Sequence, residues 1–459
     1  MAQEEEKNKK VYPVTPETIH KYAASIFGPI KKGENVATIW VPMAGRRKWN
    51  KFIIGNIELF KNELPDYQQY LLVYIEPLDL TEGSLSGYLR LMGNSFLTVC
   101  REMGVCRESP EFEVFQKIFE DSSSSYSKLL QTLKDLLGKV VQAGNKVVIF
   151  LGEFDELSFV DHVFLNNLKS LWSSLESKLL YVFLTRSNIG SPEKVAGYGD
   201  FNEVILQNIV LVPILEKEDT KYLIDCLCQV LSCKISKEEA EIVEKLCGGH
   251  PYLLKAALRI VNKLDGERIK LEKLEELLIN HYELRSVAKG ILDVLDEKTK
   301  IVFKKIAKGE KVESYERESL EVPEKLGLIS KQSEDTYRFF GQLFYQVVLK
   351  GDEKGRIIEG GGRGLGMEEK SGLITFNGQT IEEKFTSQEY SLLRMFMSKA
   401  NKLCTRDNIS ETLWGKESFE KYSNWAIDQI ISKLRKKLRA MGVKDGLITV
   451  RGRGYKFIS

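Results

Sequence analysis

The stretch SKLRKKLRAMGVKDGLITVRGRGYKF (432–457) concentrates cations in two spacings. Lys433, Arg435 and Lys436 recur at helical intervals, while Arg451 and Arg453 alternate with glycines in a strand pattern. Cations held in fixed geometry neutralise phosphates, and a helix about 10 to 12 Å across fits the major groove of a duplex, where polar side chains meet base edges. The apolar stripe Ile427, Ile431, Leu434 and Leu438 must face a core. That leaves Gln429, Ser432, Lys433 and Lys436 outward, with Arg435 at the flank. A hairpin bent at Gly452 and Gly454 extends Arg451 and Arg453 toward the backbone or minor groove. The partner these features imply is double-stranded DNA.

A second group of chemistry-bearing residues follows the first apolar strand, in TIWVPMAGRRKWNKFIIGN (38–56). Strand, loop and helix start form the arrangement of a phosphate-binding loop, which requires G-x-x-x-x-G-K-[ST]. In that motif the glycines let backbone amides wrap phosphates, the lysine neutralises them, and the hydroxyl holds magnesium. With Gly45 as the second glycine, Trp40 takes the first position, Arg46 the lysine and Arg47 the hydroxyl. With Lys48 as the lysine, Trp49 takes the hydroxyl position and both glycines are lost. The third strand and its sequel, VVIFLGEFDEL (147–157), carry Gly152 where a metal-coordinating aspartate would stand, leaving Glu153 and Asp155. Two readings stay open. Either the site has become a scaffold, or Gly45, Arg46, Arg47 and Lys48 at a helix N-terminus, with Glu153 and Asp155, hold ATP, ADP or another phosphorylated ligand without hydrolysis. No catalytic residue is assigned.

Length and composition frame both groups. A chain of 459 residues exceeds what one core usually organises, and 43% apolar with 29% charged residues is ordinary for a globular protein. No stretch of about 18 or more uncharged apolar residues occurs, and the N-terminus lacks a leader pattern, so a cytoplasmic protein without membrane contact is expected. Seven cysteines without a C-x-x-C pair, and only four histidines, predict neither metal site nor disulfide. The net charge of +2 conceals a division: residues 373–459 hold 16 Lys+Arg against 9 Asp+Glu, or +7, so the rest carries −5. A basic tail on a mildly acidic body again suggests an anionic partner for the tail.

Along the chain, apolar runs at 36–41, 70–75, 146–151, 179–185 and 204–211 alternate with amphipathic stretches such as 111–143. This pattern predicts a parallel sheet covered on both faces. Residues 218–290 read as helices only, and 296–350 as a small winged helix. Eight glycines between 351 and 372 read as a flexible linker. The tail then opens with a small sheet turning at Asn377-Gly378. A helix with a Thr386/Glu389 capping box follows, then a second from Thr405 closed by Gly415, and a third over about 423–441.

This order of elements, with FTSQEYSLLRMF, LCTRDNISETLWG, IDQIISKLRKKL and ITVRGRGYKF, resembles the OmpR/PhoB-type winged-helix DNA-binding domain across residues 373–459. The resemblance implies that Gln429, Ser432 and Lys433 read the major groove, that Arg435 and Lys436 contact phosphates, and that Thr449, Arg451 and Arg453 are wing contacts. Trp425 departs from the polar or basic residue frequent at that position in the family. The phosphate-accepting receiver domain that precedes such a tail in response regulators finds no match in the body. CGGHPYLLKAAL (247–258) instead resembles the start of a lid helix in STAND and origin-recognition-like AAA+ ATPases, so residues 14–350 resemble such a module with degenerate motifs.

The expected fold class is therefore an α/β P-loop NTPase-like parallel sheet with helical lid and winged helix, plus a C-terminal α+β winged helix-turn-helix domain. The expected boundaries are 1–13 disordered, 14–215 α/β, 216–292 lid, 293–350 winged helix, 351–372 linker and 373–459 DNA-binding domain. The expected function is transcription regulation, with a body that forms a homo-oligomer or binds a regulatory protein. An active ATP-dependent switch in signalling, replication initiation or defence is one alternative; a protein-interaction tail is another.

Overall fold

The computed structural model describes residues 14–105, 110–233, 235–264, 270–333, 335–350, 365–367, 374–376, 379–380, 385–399, 402–414, 424–440, 446–450 and 453–457. The chain divides into two compact units, residues 1–75 with 92–349 and residues 76–91 with 350–459.

The first unit is organised by β1 (Val36–Trp40), β2 (Tyr70–Ile75), β3 (Lys146–Leu151), β4 (Leu179–Thr185) and β5 (Ile209–Val212), all parallel, in the order β2-β3-β4-β1-β5. Every residue of β1 and β4 is buried, as continuous apolar strands covered by helices on both faces must be. The 126–142 helix covers part of this sheet because Leu129, Leu133, Leu136, Leu137 and Val140 line one stripe, all at most 1% exposed. Each such side chain contributes roughly 1.5–3 kcal/mol by leaving water. This is the P-loop NTPase-like arrangement, with β4 inserted between β1 and β3 and the loop after β1 at the sheet's carboxyl end.

Two expected elements differ. The 111–143 run is two helices, Pro110–Glu120 and Tyr126–Gln142. Asp121 accepts hydrogen bonds from Ser123, and Ser125 caps the second helix, so side chains compete with the backbone ladder and end the first. The fifth strand begins at Ile209, and Asn202–Ile205 is helical. Val204 and Ile205 are buried all the same, and burial alone does not distinguish a short strand from a helical turn.

Among the described residues, five helices lie between Lys217 and Asp293, in the region expected as a lid. The buried Asp219 accepts from Thr15 N and Oγ1 and from Thr18 Oγ1, fastening the Pro16–Lys31 helix to the first lid helix. A Cβ on Gly249 would collide with the Leu215 carbonyl and one on Gly248 with the Phe340 carbonyl, so both glycines are required where backbones cross. The helix Glu297–Ala307, a turn at 314–320, the short helix Glu321–Lys325 and the antiparallel hairpin of β6 (Ile329–Lys331) and β7 (Tyr337–Phe339) follow, and the Gln342–Lys350 helix ends the unit. Phe303, Phe339 and Phe344 form the core of this winged element.

In the second unit, β8 (Leu365–Met367), β9 (Ile374–Phe376) and β10 (Gln379–Thr380) make an antiparallel sheet. Residues 365–367 lie inside the glycine-rich stretch read as linker; strand pairing uses backbone groups, which that composition does not remove. Helices follow at Ser387–Ser398, Arg406–Trp414 and Asn424–Ala440, and a second sheet has β11 (Leu403–Cys404), β13 (Gly454–Phe457) and β12 (Leu447–Val450) in that order. The Thr386/Glu389 capping box is present with both reciprocal bonds. Residues 1–13, the Asn377-Gly378 turn, Gly415, Arg451 and Gly452 lie outside the described residues. Among the described residues no helix is long and apolar enough to cross a membrane, and no cluster of metal-ligating side chains occurs.

Candidate nucleic-acid interface and phosphate-loop site

The Asn424–Ala440 helix turns Ile427, Ile431, Leu434 and Leu438 inward, at 0–3% exposure. Gln429, Ser432, Lys433 and Lys436 are exposed, and none has a hydrogen bond or ion pair among the described residues. Arg439, three positions beyond Lys436, is also exposed and extends this stripe. Its helical spacing was the signal available in the sequence. Asp428 and Lys437 hold the helix in place. Asp428 bonds Arg406 at 2.8 Å and accepts from the Tyr455 hydroxyl, and Lys437 bonds the buried Glu389 at 2.5 Å. Burial, with Asp428 next, pushes the Tyr455 phenol up to about 12, so the hydroxyl keeps the proton it donates.

Arg435 differs from its neighbours. Its Nε donates to the Leu447 carbonyl at 2.8 Å, its Nη2 donates to Thr449 Oγ1 at 2.7 Å, and its guanidinium lies 5.6 Å from the Tyr455 ring centroid. The residue expected to touch phosphate is thus committed to the hairpin, because β12 runs beside its flank of the helix. Thr449 is exposed on that strand, and Arg453 is exposed at its turn, where its N–H bonds the Val450 carbonyl at 3.0 Å. Gly454 is fixed at φ +136°, since a Cβ there would strike the Cys404 carbonyl.

In the first unit the loop after β1 bends through Met43 (φ +60°) and Gly45 (φ +96°) into the Arg46–Ile54 helix. Trp40, at the motif's first glycine, is buried; its ring stands edge-on to Tyr22 (5.1 Å) and Trp49 (5.4 Å), and its Nε1 donates to Thr38 Oγ1 at 2.9 Å. Arg46, 7% exposed, donates to the Leu184 carbonyl at 3.2 Å and pairs with Glu153 at 3.3 Å. Glu153 also receives Arg186 at 3.1 Å, and Arg186 reaches Glu156 at 2.7 Å. Asp155 accepts from Arg186 N, Ser187 N and Ser187 Oγ at 2.7–3.1 Å, bracing the end of β4. Lys48 is exposed and Arg47 half-buried. The structure therefore joins Arg46 to Glu153, and Arg186 links Glu153 to Asp155.

The 247–258 segment, expected to start a lid helix, meets the loop through His250, which no local pattern marked. His250, fully buried, shares a hydrogen between Nε2 and the Pro42 carbonyl at 2.8 Å and accepts the Leu253 amide at Nδ1, 3.3 Å away. With Nδ1 accepting, the proton sits on Nε2. Burial pushes this imidazole down to about 4, so it is neutral near pH 7. The lid is tied to the loop without charge.

A magnesium nucleotide does not fit these residues. The hydroxyl and aspartate that would hold the metal are Arg47 and Gly152, and the cation meant for phosphate is paired with Glu153.

The family model "Transcriptional regulatory protein, C terminal" matches residues 380–457. That region is a winged-helix domain of OmpR/PhoB type, the DNA-binding class found in transcription regulators. The chain is 37% identical to the response regulator ArlR of Staphylococcus haemolyticus over 18% of its own length and 36% of that protein's. It is 28% identical to the uncharacterised transcriptional regulatory protein YvcP of Bacillus subtilis, over 23% of this chain and 42% of the relative. An uncharacterised ATP-binding protein of Methanocaldococcus jannaschii is 22% identical over 66% of this chain and 80% of its own. The chain thus spans less than half the length of the regulators it matches. Among solved structures, a Walker-type ATPase of Pyrococcus abyssi superposes with a TM-score of 0.45 at 14% identity, covering 72% of this chain and 94% of that one. The ORC2 protein of Aeropyrum pernix gives 0.43 at 12% identity, covering 75% and 94%.

Proposed function

We propose that this protein is a transcription regulator whose C-terminal unit binds duplex DNA and whose P-loop-like unit controls it without hydrolysing nucleotide. The observation that carries the reading is the outward face of the 424–440 helix, Gln429, Ser432, Lys433 and Lys436, unpaired among the described residues, beside the β12 and β13 hairpin. In this reading Gln429, Ser432 and Lys433 meet base edges, Lys436 and Arg439 meet phosphates, and Arg453, with Arg451, reaches the backbone or minor groove. Arg435, tied to the hairpin, supports the wing.

The first unit acts by assembly or by a protein partner. A single small domain binds DNA with limited affinity, and holding two tails together raises affinity through effective concentration. The Arg46–Glu153 pair argues against ATP or ADP as the controlling ligand, because a nucleotide phosphate would first have to displace Glu153. The names of the ATP-binding relatives favour the second reading, an ATP-dependent switch.

One titration tests both. With five or so phosphate contacts, the log–log slope of DNA affinity against salt is expected to be about −4 to −5, unchanged by magnesium ATP. A slope near zero defeats the DNA reading, and an affinity that tracks ATP defeats the nucleotide-independent one.

A further inference from the structure

Thr449 Oγ1 is exposed yet already holds one hydrogen bond, accepted from Arg435 at 2.7 Å. A threonine hydroxyl has one proton and two lone pairs. With the guanidinium, which can only donate, occupying a lone pair, the hydroxyl proton has to be given to something else. The same guanidinium binds the Leu447 carbonyl two residues earlier on β12 and lies over Tyr455 of β13. Arg406 lies over the same ring, also 5.6 Å from its centroid, and bonds Asp428 on the 424–440 helix. Helix and hairpin are therefore fastened to each other at two levels, and the outer level ends on an exposed hydroxyl held by a half-buried cation.

We infer that Arg435 is a positioning residue that acts on DNA through Thr449: it fixes the hairpin against the helix and orients the Thr449 hydroxyl as a donor to a phosphate oxygen. This inference rests on the reading of the tail as a duplex-binding domain. It assigns the phosphate contact at this level to a neutral side chain and removes Arg435 from the set of direct contacts. An ammonium cannot reproduce the arrangement, since Nε and Nη2 diverge from one planar fork toward two strand acceptors.

The test uses the full chain and a duplex selected from genomic fragments by the wild-type protein. R435K keeps the charge and is expected to lose about tenfold in affinity, the scale of one charge-assisted hydrogen bond. T449V is expected to lose a similar factor with the salt slope unchanged, because no cation is removed, and T449S to bind like wild type. The double variant R435K/T449V is expected to be no weaker than either single one. In DNA-free protein, hydrogen exchange of the 447–450 amides is expected to quicken in R435K. An R435K protein that binds and exchanges like wild type overturns the inference, as does additivity in the double variant. Failure of the wild type to select any duplex overturns the DNA reading itself, whereas wild-type binding with an indifferent R435K overturns the relay alone.

Discussion

Two places in this molecule gather arginine and lysine where a phosphate could be met, and they end differently. At the loop after β1, Arg46 and Arg186 converge on Glu153, with Arg186 also reaching Glu156, in a half-buried cluster. On the 424–440 helix, Lys433 and Lys436 stand exposed with no carboxylate in reach among the described residues. The difference shows that a cation cluster states a need for negative charge and not its source. A buried cluster cannot wait for a ligand, since an unpaired buried charge costs several kcal/mol. An exposed one can, because water and salt solvate it at little cost.

This contrast can be broken most directly on the exposed side. Reversing both charges in K433E/K436E is expected to lower affinity for a selected duplex by about a hundredfold or more at low salt, while leaving the melting temperature within a few degrees. Anisotropy titration and thermal melting read the two effects, and retained binding would mean that the face is merely solvated.

The body is expected to depend on pH through His250. Its folded value of about 4 lies below the unfolded value of about 6.5. The unfolded chain therefore binds more protons between those limits, and stability is lost as pH falls from about 6.5 to about 4, by roughly 3 kcal/mol in all. Denaturant unfolding of wild type and H250Q at pH 7 and 4.5 measures this: the advantage of wild type should shrink over the window, and a constant difference would refute it.

The buried cluster responds less. E153Q leaves Arg46 without its counter-charge and is expected to cost about 2 kcal/mol, below the fully buried range because the Glu153 side chain is 25% exposed. DNA affinity should not change. If E153Q instead gains magnesium-dependent ATP binding, the pair is a gate over a working site and not a replacement for one.

Much of the architecture was legible in the residues. Runs such as LLYVFLT and KVVIFL are apolar on both faces and became the central strands β4 and β3. The Thr386/Glu389 box started its helix as the spacing required. The fifth strand was harder to place: Val204 and Ile205 are as apolar as a strand but lie in a helical turn, and Gln207 and Asn208 bond Asn35 before β5 begins. Those bonds span about 170 residues of chain, beyond the reach of any local pattern.

The sequence by itself determined which residues of the last long helix face inward, because a 3.6-residue period assigns Ile427, Ile431, Leu434 and Leu438 to one side whatever they meet. It also determined that no magnesium-binding hydroxyl or aspartate stands in the loop and strand motifs. What each cation is for depends on the folded arrangement of the chain. Arg435 and Lys436 are adjacent and alike in charge, yet one is bonded to β12 and the other to nothing described. The same holds at the loop, where Arg46 found Glu153 across more than a hundred residues. Hydrogen bonds act over about 3 Å, so partners are chosen by where distant strands come to lie, and periodicity carries no record of that choice.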